Sequence, residues 1–266
     1  MTATEATQAR HREGVRRTDG KEPAIRLDHV TKSFGDRRVL DDVSLEIPEG
    51  CAFVILGRSG TGKSVTLRHI IGLVRPDSGR VFVHGDEISA LSGAELARVR
   101  REIGFLFQGA ALFDSISVGE NVAFPLRRHT RLADAEIRDR VRHKLASVGL
   151  EADYDKMPGD LSGGMRKRAG LARAMALDPA ILLVDEPSAG LDPITSDEID
   201  QLLLDTKERE GTTLVVVTHN IPSARKLGDQ LVMLHDGRII ARGSVAELEA
   251  SDQPMVRAFM ASTHAG

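Results

Sequence analysis

Residues 52–64 read Ala-Phe-Val-Ile-Leu-Gly-Arg-Ser-Gly-Thr-Gly-Lys-Ser, and this stretch decides the fold. Ala52 to Leu56 is a short, unbroken apolar run, the mark of a strand buried on both faces. Behind it, Gly57, Arg58, Ser59, Gly60, Thr61, Gly62, Lys63 and Ser64 fit the phosphate-loop pattern of Gly, four residues, then Gly-Lys-Ser. The pattern predicts a helix from about Lys63 to Gly72. Strand, loop and helix in this order explain the chemistry. The glycines let backbone N–H groups converge on phosphates, and the helix N-terminus adds a favourable dipole. Lys63 would then reach the β- and γ-phosphates, and the Ser64 hydroxyl would ligate Mg2+.

Other strands follow from the same patterning. Ile181 to Val184 is a second buried run, and it ends in Asp185-Glu186. Ligands of parallel sheets bind beyond the carboxyl ends of strands, so these acids should face the same place as the loop. Asp185 suits a water-mediated Mg2+ contact and Glu186 suits a general base that positions attacking water. Thr213 to Val217 is a third run, reached through a helical stretch from Ile194 to Glu210. Upstream, Ile25 to Val30 and Val39 to Ile47 alternate as half-buried strands around a Gly35-Asp36 turn, and Arg80 to His84 reads as another strand. Asp236-Gly237 marks a hairpin between Leu231–Leu234 and Arg238–Ala241. Residues 93–178 change character, being rich in Ala, Leu, Arg and Glu, with Ile137, Val141, Leu145 and Val148 at helical spacing. Ser244 and Glu247 form a capping box that opens a terminal helix. The expected fold is α/β: a RecA-like P-loop NTPase with a parallel-sheet core, an antiparallel β subdomain and an inserted helical subdomain.

Composition removes several classes of function. The 266 residues carry 36 basic and 39 acidic side chains, a net charge of −3, which argues against a broad basic nucleic-acid surface. Aromatics are 3% with no Trp, so base-stacking platforms and aromatic membrane belts are disfavoured and the core must be aliphatic. One cysteine, Cys51, excludes an internal disulfide framework and suits a reducing compartment; packing is its expected role. No apolar run approaches the roughly 20 residues of a spanning helix. Residues 1–23 lack a signal peptide's apolar stretch and are expected to be a disordered tail.

Leu161-Ser162-Gly163-Gly164, followed by an Ala/Arg-rich helix, makes the reading specific. Together with the loop, Asp185-Glu186 and His219, it resembles the nucleotide-binding subunit of ABC transporters from about Ile25 to Gly243. The resemblance implies an ATPase domain over 24–243, with the helical part at about 93–178, and a C-terminal helical extension over 244–266. It implies two copies packed head to tail around two ATP molecules, with Ser162, Gly163 and Gly164 meeting the γ-phosphate held by the other copy. Gln108 matches a loop glutamine that touches Mg2+ or the lytic water, and His219 matches a histidine that bonds the γ-phosphate. Phe34 matches the aromatic that stacks on adenine, and the 188–192 loop with Asp192 matches the segment that contacts the partner's site. Catalysis is thus assigned to Glu186, His219, Lys63 and Gln108, and metal binding to Ser64, Gln108 and Asp185. Nucleotide contacts fall to Phe34, Gly57 through Val65, Ser162 to Gly164 and Asp192. The signature departs from the common family pattern at Met165, where Gln is frequent; the three phosphate-facing residues remain.

Finer similarity resembles the ATPases of Mla and Mce-associated lipid transport. It rests on 161–174, Phe107 to Phe113, Glu120 to Leu126 and Asp192 to Thr195. This implies transmembrane permease subunits, an MCE-domain protein and accessory subunits as partners, no nucleic acid, and a peripheral place on the cytoplasmic side of the inner membrane. An importer of amino acids or another small solute is the alternative, and an ABC ATPase outside transport a more distant one. Phe107 to Leu126 is expected to line part of a permease groove and to supply core packing. An Arg-rich helix from Arg127 to Lys144 is expected to present a solvated face.

Overall fold

The computed structural model describes residues 22–262. The expected disordered tail over 1–23 lies outside them save for its last two residues, as do residues 263–266 of the C-terminal extension.

Strands β1 (Ile25–Phe34) and β2 (Arg37–Ile47) form a hairpin. With β4 (Ser78–Val83) and β5 (Asp86–Glu87) they make a four-stranded antiparallel sheet in the order β2-β1-β4-β5. The main sheet holds β3 (Ala52–Leu56), β6 (Ile103–Leu106), β7 (Ile181–Asp185), β8 (Thr213–Thr218), β9 (Gln230–His235) and β10 (Arg238–Gly243). Its order is β10-β9-β3-β8-β7-β6, parallel throughout except where β10 returns beside β9.

Period-two geometry explains why the runs are apolar on both sides. Phe53, Ile55, Leu183, Val215 and Val217 join a core shared with the antiparallel sheet and with α1 (Lys63–Ile70). Val54, Leu56, Leu182, Val184, Leu214 and Val216 face the opposite core, with α3 (Val118–His129), α4 (Asp134–Ser147) and α5 (Gly163–Ala174). The helix α6 (Pro193–Glu210) runs between β7 and β8, α7 (Ile221–Leu227) follows β8, and two short helices, α8 (Val245–Glu249) and α9 (Pro254–Met260), close the chain. Val256 and Met260 are buried, so α9 packs onto the body of the molecule.

The 93–178 stretch differs from its helical reading at one end. Its first helix, α2 (Gly93–Arg100), packs with Ile88 and Ile103 in the first core, and β6 is the edge strand of the main sheet beside β7. Four residues containing Gly104 are too short a run to signal a strand, but Gly104 is needed where a Cβ would lie 2.6 Å from the Ala174 carbonyl. The single Arg-rich helix expected over Arg127 to Lys144 is also corrected, since the chain leaves helix at Thr130 and re-enters at Asp134. Arg138, Arg140 and Arg142 are exposed, as a solvated face requires.

One buried acid costs stability. Asp200, 3% exposed on α6, has an Oδ1 with no hydrogen-bond partner. Burial pushes its pKa from 3.8 up to about 6, opposed by a Ser223 hydrogen bond and the Lys226 charge. The folded state therefore holds this proton more tightly than the unfolded chain. Its stabilising contribution is complete below pH 3.8 and is lost as the pH rises to about 6. Asp200→Asn is expected to raise stability at pH 8 by about 1–3 kcal/mol and to flatten the pH dependence between those values. Urea unfolding of the nucleotide-free chain at pH 5 and pH 8 checks this; an unchanged difference between the two pH values refutes it.

Candidate active site

Three neighbouring strands deliver the chemistry to one level. In the register of the main sheet Leu56 lies beside Thr218, and Val217 beside Asp185. The phosphate loop after β3, His219 after β8 and Asp185-Glu186 at the end of β7 therefore emerge together.

The loop's backbone needs its glycines. Gly60 and Gly62 have φ of +79° and +105°, in the left-handed region that L side chains rarely adopt. Lys63 begins α1, is 5% exposed, and donates its ammonium to the Gly57 carbonyl at 2.8 Å and the Arg58 carbonyl at 3.1 Å. The same ammonium lies 3.2 Å from Glu186 Oε1. Ser64 donates its hydroxyl to Asp185 Oδ1 at 2.8 Å. Burial is the main influence on Asp185 and raises its pKa; the Ser64 hydrogen bond pulls the other way.

Glu186 is the hub. It is 7% exposed, and its backbone sits at φ 47°, an unusual place for a non-glycine residue. Its Oε2 lies 2.9 Å from His219 Nδ1 and 3.3 Å from the His219 backbone N–H, which donates to it. The carboxylate is thus fixed on both oxygens, one toward Lys63 and one toward His219.

The predicted residues fall into two groups. Lys63, Ser64, Asp185, Glu186 and His219 form one bonded cluster, and Gln108 joins it through its backbone carbonyl, which accepts a hydrogen bond from Lys167. The Gln108 side chain is exposed. Ser162, Gly163 and Gly164 form a second group at the start of α5, where Ser162 caps the helix by accepting from Met165 N–H at 3.2 Å. Gly164 fits tightly, since a Cβ there would lie 2.6 Å from Thr195 Cγ2. The Asp192 carboxylate caps α6, accepting from Ile194 and Thr195 N–H at 3.0 Å each and from the Thr195 hydroxyl at 2.6 Å; the hydroxyl chiefly, and then the N–H groups, lower its pKa. Among the described residues no hydrogen bond or ion pair joins Ser162, Gly163 or Gly164 to the phosphate loop. Phe34 is 49% exposed at the end of β1. Val65 packs from α1 toward the first core.

Sequence reasoning missed four supporting side chains. Arg37, across the hairpin from Phe34, donates to the Gly60 carbonyl at 2.9 Å and so ties the hairpin to the phosphate loop. Asn121, fully buried, brackets Phe113 by accepting from its N–H at 2.7 Å and donating to its carbonyl at 3.1 Å. Lys167 and Arg173 hold the loop that follows β6. An amide and cations inside otherwise apolar or helical stretches were the available signals for Asn121, Lys167 and Arg173, while Arg37, exposed on β2, left none.

The residues fit a nucleotide and a cation. A left-handed glycine loop at a helix start is an anion cradle, and a buried ammonium stands beside it. Ser64 and Asp185 offer two hard oxygens in contact. Among the described residues no group of three or more His, Cys, Asp or Glu side chains is arranged to hold a metal. Mg2+ here would draw its remaining ligands from water and phosphate, as that ion ordinarily does.

The sequence profile described as "ABC transporter" matches residues 40–189, which hold the phosphate loop, the signature and the acid pair. The chain belongs to the ABC transporter family. It is 47% identical over 245 residues to the "probable ribonucleotide transport ATP-binding protein mkl" of Mycobacterium leprae (strain TN), covering 91% of this chain and 71% of that protein. It is 42% identical over 236 residues to the "intermembrane phospholipid transport system ATP-binding protein MlaF" of Escherichia coli (strain K12), covering 89% of this chain and 88% of MlaF. Among solved structures, a dimer of the ATP-binding cassette MJ0796 in a post-hydrolysis state with ADP and Pi superposes with a TM-score of 0.77. That match has 37% identity over 83% of this chain and 98% of the other. This chain is accordingly an ATP-binding ATPase subunit of the family, and no described helix is long and apolar enough to cross a membrane.

Proposed function

We propose that this ATPase powers lipid transport, with phospholipid as the cargo class, across the bacterial envelope through a separate permease and an MCE-domain partner. Similarity to MlaF along 88% of that protein's length is the observation that carries the reading. An exposed aromatic surface supports the permease. Phe107, Phe113 and Phe124 are 37%, 45% and 48% exposed, and Phe113 and Phe124 pack at 5.0 Å between ring centroids. Phe107 directly precedes Gln108 and Phe113 lies in the same loop after β6, so a transmembrane partner seated on them would touch the loop that leads to the active site. The rest of the segment supplies core packing, with Ala110, Val118, Val122, Ala123 and Leu126 buried. The chain then works peripherally, at the cytoplasmic side of the inner membrane.

Two copies pack head to tail, each giving Ser162, Gly163 and Gly164 to the phosphate held by the other's loop. Similarity to the MJ0796 cassette, solved as a dimer with ADP and Pi, supports this. Ser64 and Asp185, with Gln108 as a further candidate ligand, would hold Mg2+, which would supply charge neutralisation at the phosphates. Lys63 exchanges its carbonyl partners for phosphate oxygens, and His219 turns its ring toward the γ-phosphate. Glu186 accepts a proton from the attacking water. Closure of the two copies drives the permease, and hydrolysis lets them part.

Phe34 stacks on adenine in this reading. Stacking on an aromatic is worth about 1–3 kcal/mol per base, so Phe34→Ala should weaken ATP binding about 10-fold while Phe34→Tyr stays near the parent. Calorimetric titration with ATP reads this, and equal affinity of the Ala variant and the parent refutes the stacking.

The transport reading is tested by purifying the full chain with its membrane partners and identifying bound lipid by mass spectrometry. Co-purified phospholipid and turnover stimulated by phospholipid vesicles are expected. The name of the Mycobacterium leprae relative, which speaks of ribonucleotide transport, favours a second reading, a transporter of a small solute. Stimulation by a ribonucleotide other than ATP, with no lipid bound, would replace the lipid reading with that one.

A further inference from the structure

The signature helix α5 also reaches back into its own chain's catalytic cluster. Lys167 is 5% exposed, and its ammonium donates to the backbone carbonyls of Gln108 and of Glu186, the latter at 3.1 Å. One turn and a half further on, Arg173 donates to the Ala110 and Ala111 carbonyls, both at 2.7 Å. One cation therefore bridges two loops, while the other grips only the loop after β6.

Both loops are held in conformations they would not choose alone. Ala110, Ala111 and Glu186 lie at φ of 60°, 52° and 47°. Non-glycine residues in this region cost about 1–3 kcal/mol each and persist where their surroundings fix them. Packing alone does not account for a lysine here. Burial lowers the Lys167 pKa against the opposing pull of the Asp185 and Glu186 charges, and an apolar side chain would fill the space without that cost. What lysine adds is a set of directed N–H donors, two of them aimed at carbonyls that no other side chain joins.

We propose that Lys167 is a positioning residue that locks Gln108 and Glu186 in register with the signature helix, so that phosphate capture at the start of α5 is transmitted to the same chain's hydrolytic carboxylate. The transmission between sites rests on the head-to-tail pairing proposed above. In that pairing α5 reads one nucleotide while Glu186 acts on the other, and Lys167 links the two events through about one side chain's length.

The test uses the full-length chain with Lys167→Met, Lys167→Gln and Arg173→Ala, and two readouts. Amide hydrogen exchange is measured without nucleotide. Lys167→Met should speed exchange about 10-fold at 107–111 and 186–189 and leave the rest of α5 as in the parent, since a hydrogen bond to a charged group is worth about 1.5–3 kcal/mol. Arg173→Ala should speed exchange at 107–113 only. Steady-state ATP turnover should show kcat about 10-fold lower for Lys167→Met with KM for ATP within about 2-fold, the pattern of a lost transition-state contact. Lys167→Gln, with a shorter and neutral donor, should change each readout by only about 3-fold. Exchange that rises evenly along α5, a kcat equal to the parent's, or a Gln variant as impaired as the Met variant overturns the proposal. If Lys167→Met does not fold, parent-like exchange at both loops in Lys167→Gln overturns it. A parent rate per chain that does not vary with protein concentration would instead sink the head-to-tail pairing, and the exchange readout would still decide what Lys167 does.

Discussion

Replacing Glu186 by Gln is expected to cut ATP turnover by about 10²–10⁴ while leaving ATP bound, the range typical for loss of a general base. The change keeps the volume and removes only the charge and basicity of a group fixed on both oxygens, at 3.2 Å from Lys63 and 2.9 Å from His219. The backbone at φ 47° is held from outside the side chain, by Glu186 N–H donating to the Val217 carbonyl at 2.9 Å and by Lys167 at its own carbonyl. An amide therefore inherits the same position and accepts no proton there. Phosphate release and nucleotide titration, measured on the same sample, separate the two effects. Hydrolysis at the parent rate would remove Glu186 from the role of base.

Gly62→Ala should be nearly as damaging, through binding. At φ +105° any side chain is strained, and a Cβ would lie 2.7 Å from the Val39 carbonyl and 2.8 Å from Leu40 Cδ2. Val39 and Leu40 belong to β2, a strand that cannot yield without disturbing the hairpin carrying Phe34. Strain and overpacking each cost about 1–3 kcal/mol, so a loss of about 100-fold or more in ATP affinity is expected. Gly60→Ala provides the contrast. Its φ is +79°, but its nearest neighbour is the end of the Arg37 side chain at 3.4 Å, which can move. Titration of both variants should show the larger loss for Gly62; the reverse order would mean that the cradle is not limited by its contact with β2.

Much of this was legible in the sequence because buried strands and glycine loops leave strong local marks. The runs at 52–56, 181–184 and 213–217 became adjacent strands, and the motifs behind them met at one end of the sheet. Most of what escaped was non-local. Strand β6 is short, contains a glycine, and is a strand only because β7 pairs with it. The break between α3 and α4 follows Thr130, whose hydroxyl donates back to the Leu126 carbonyl at 2.7 Å and so finishes the helix without a glycine or proline stop. Arg37, Asn121 and Lys167 act on partners 23, 8 and 59 residues away. No spacing rule connects such pairs before the chain has folded.

The Lys63 contacts set the terms on which the cradle takes a ligand. With its ammonium already satisfied by two carbonyls and a carboxylate, the loop has no unmet demand that would force it to collapse or to seize stray anions. A nucleotide entering such a site trades one set of partners for another, and only the surplus appears as affinity. Selectivity follows from that exchange. It discriminates by how completely a visitor can replace what it displaces, and a lone phosphate group replaces less than a triphosphate with its cation and base.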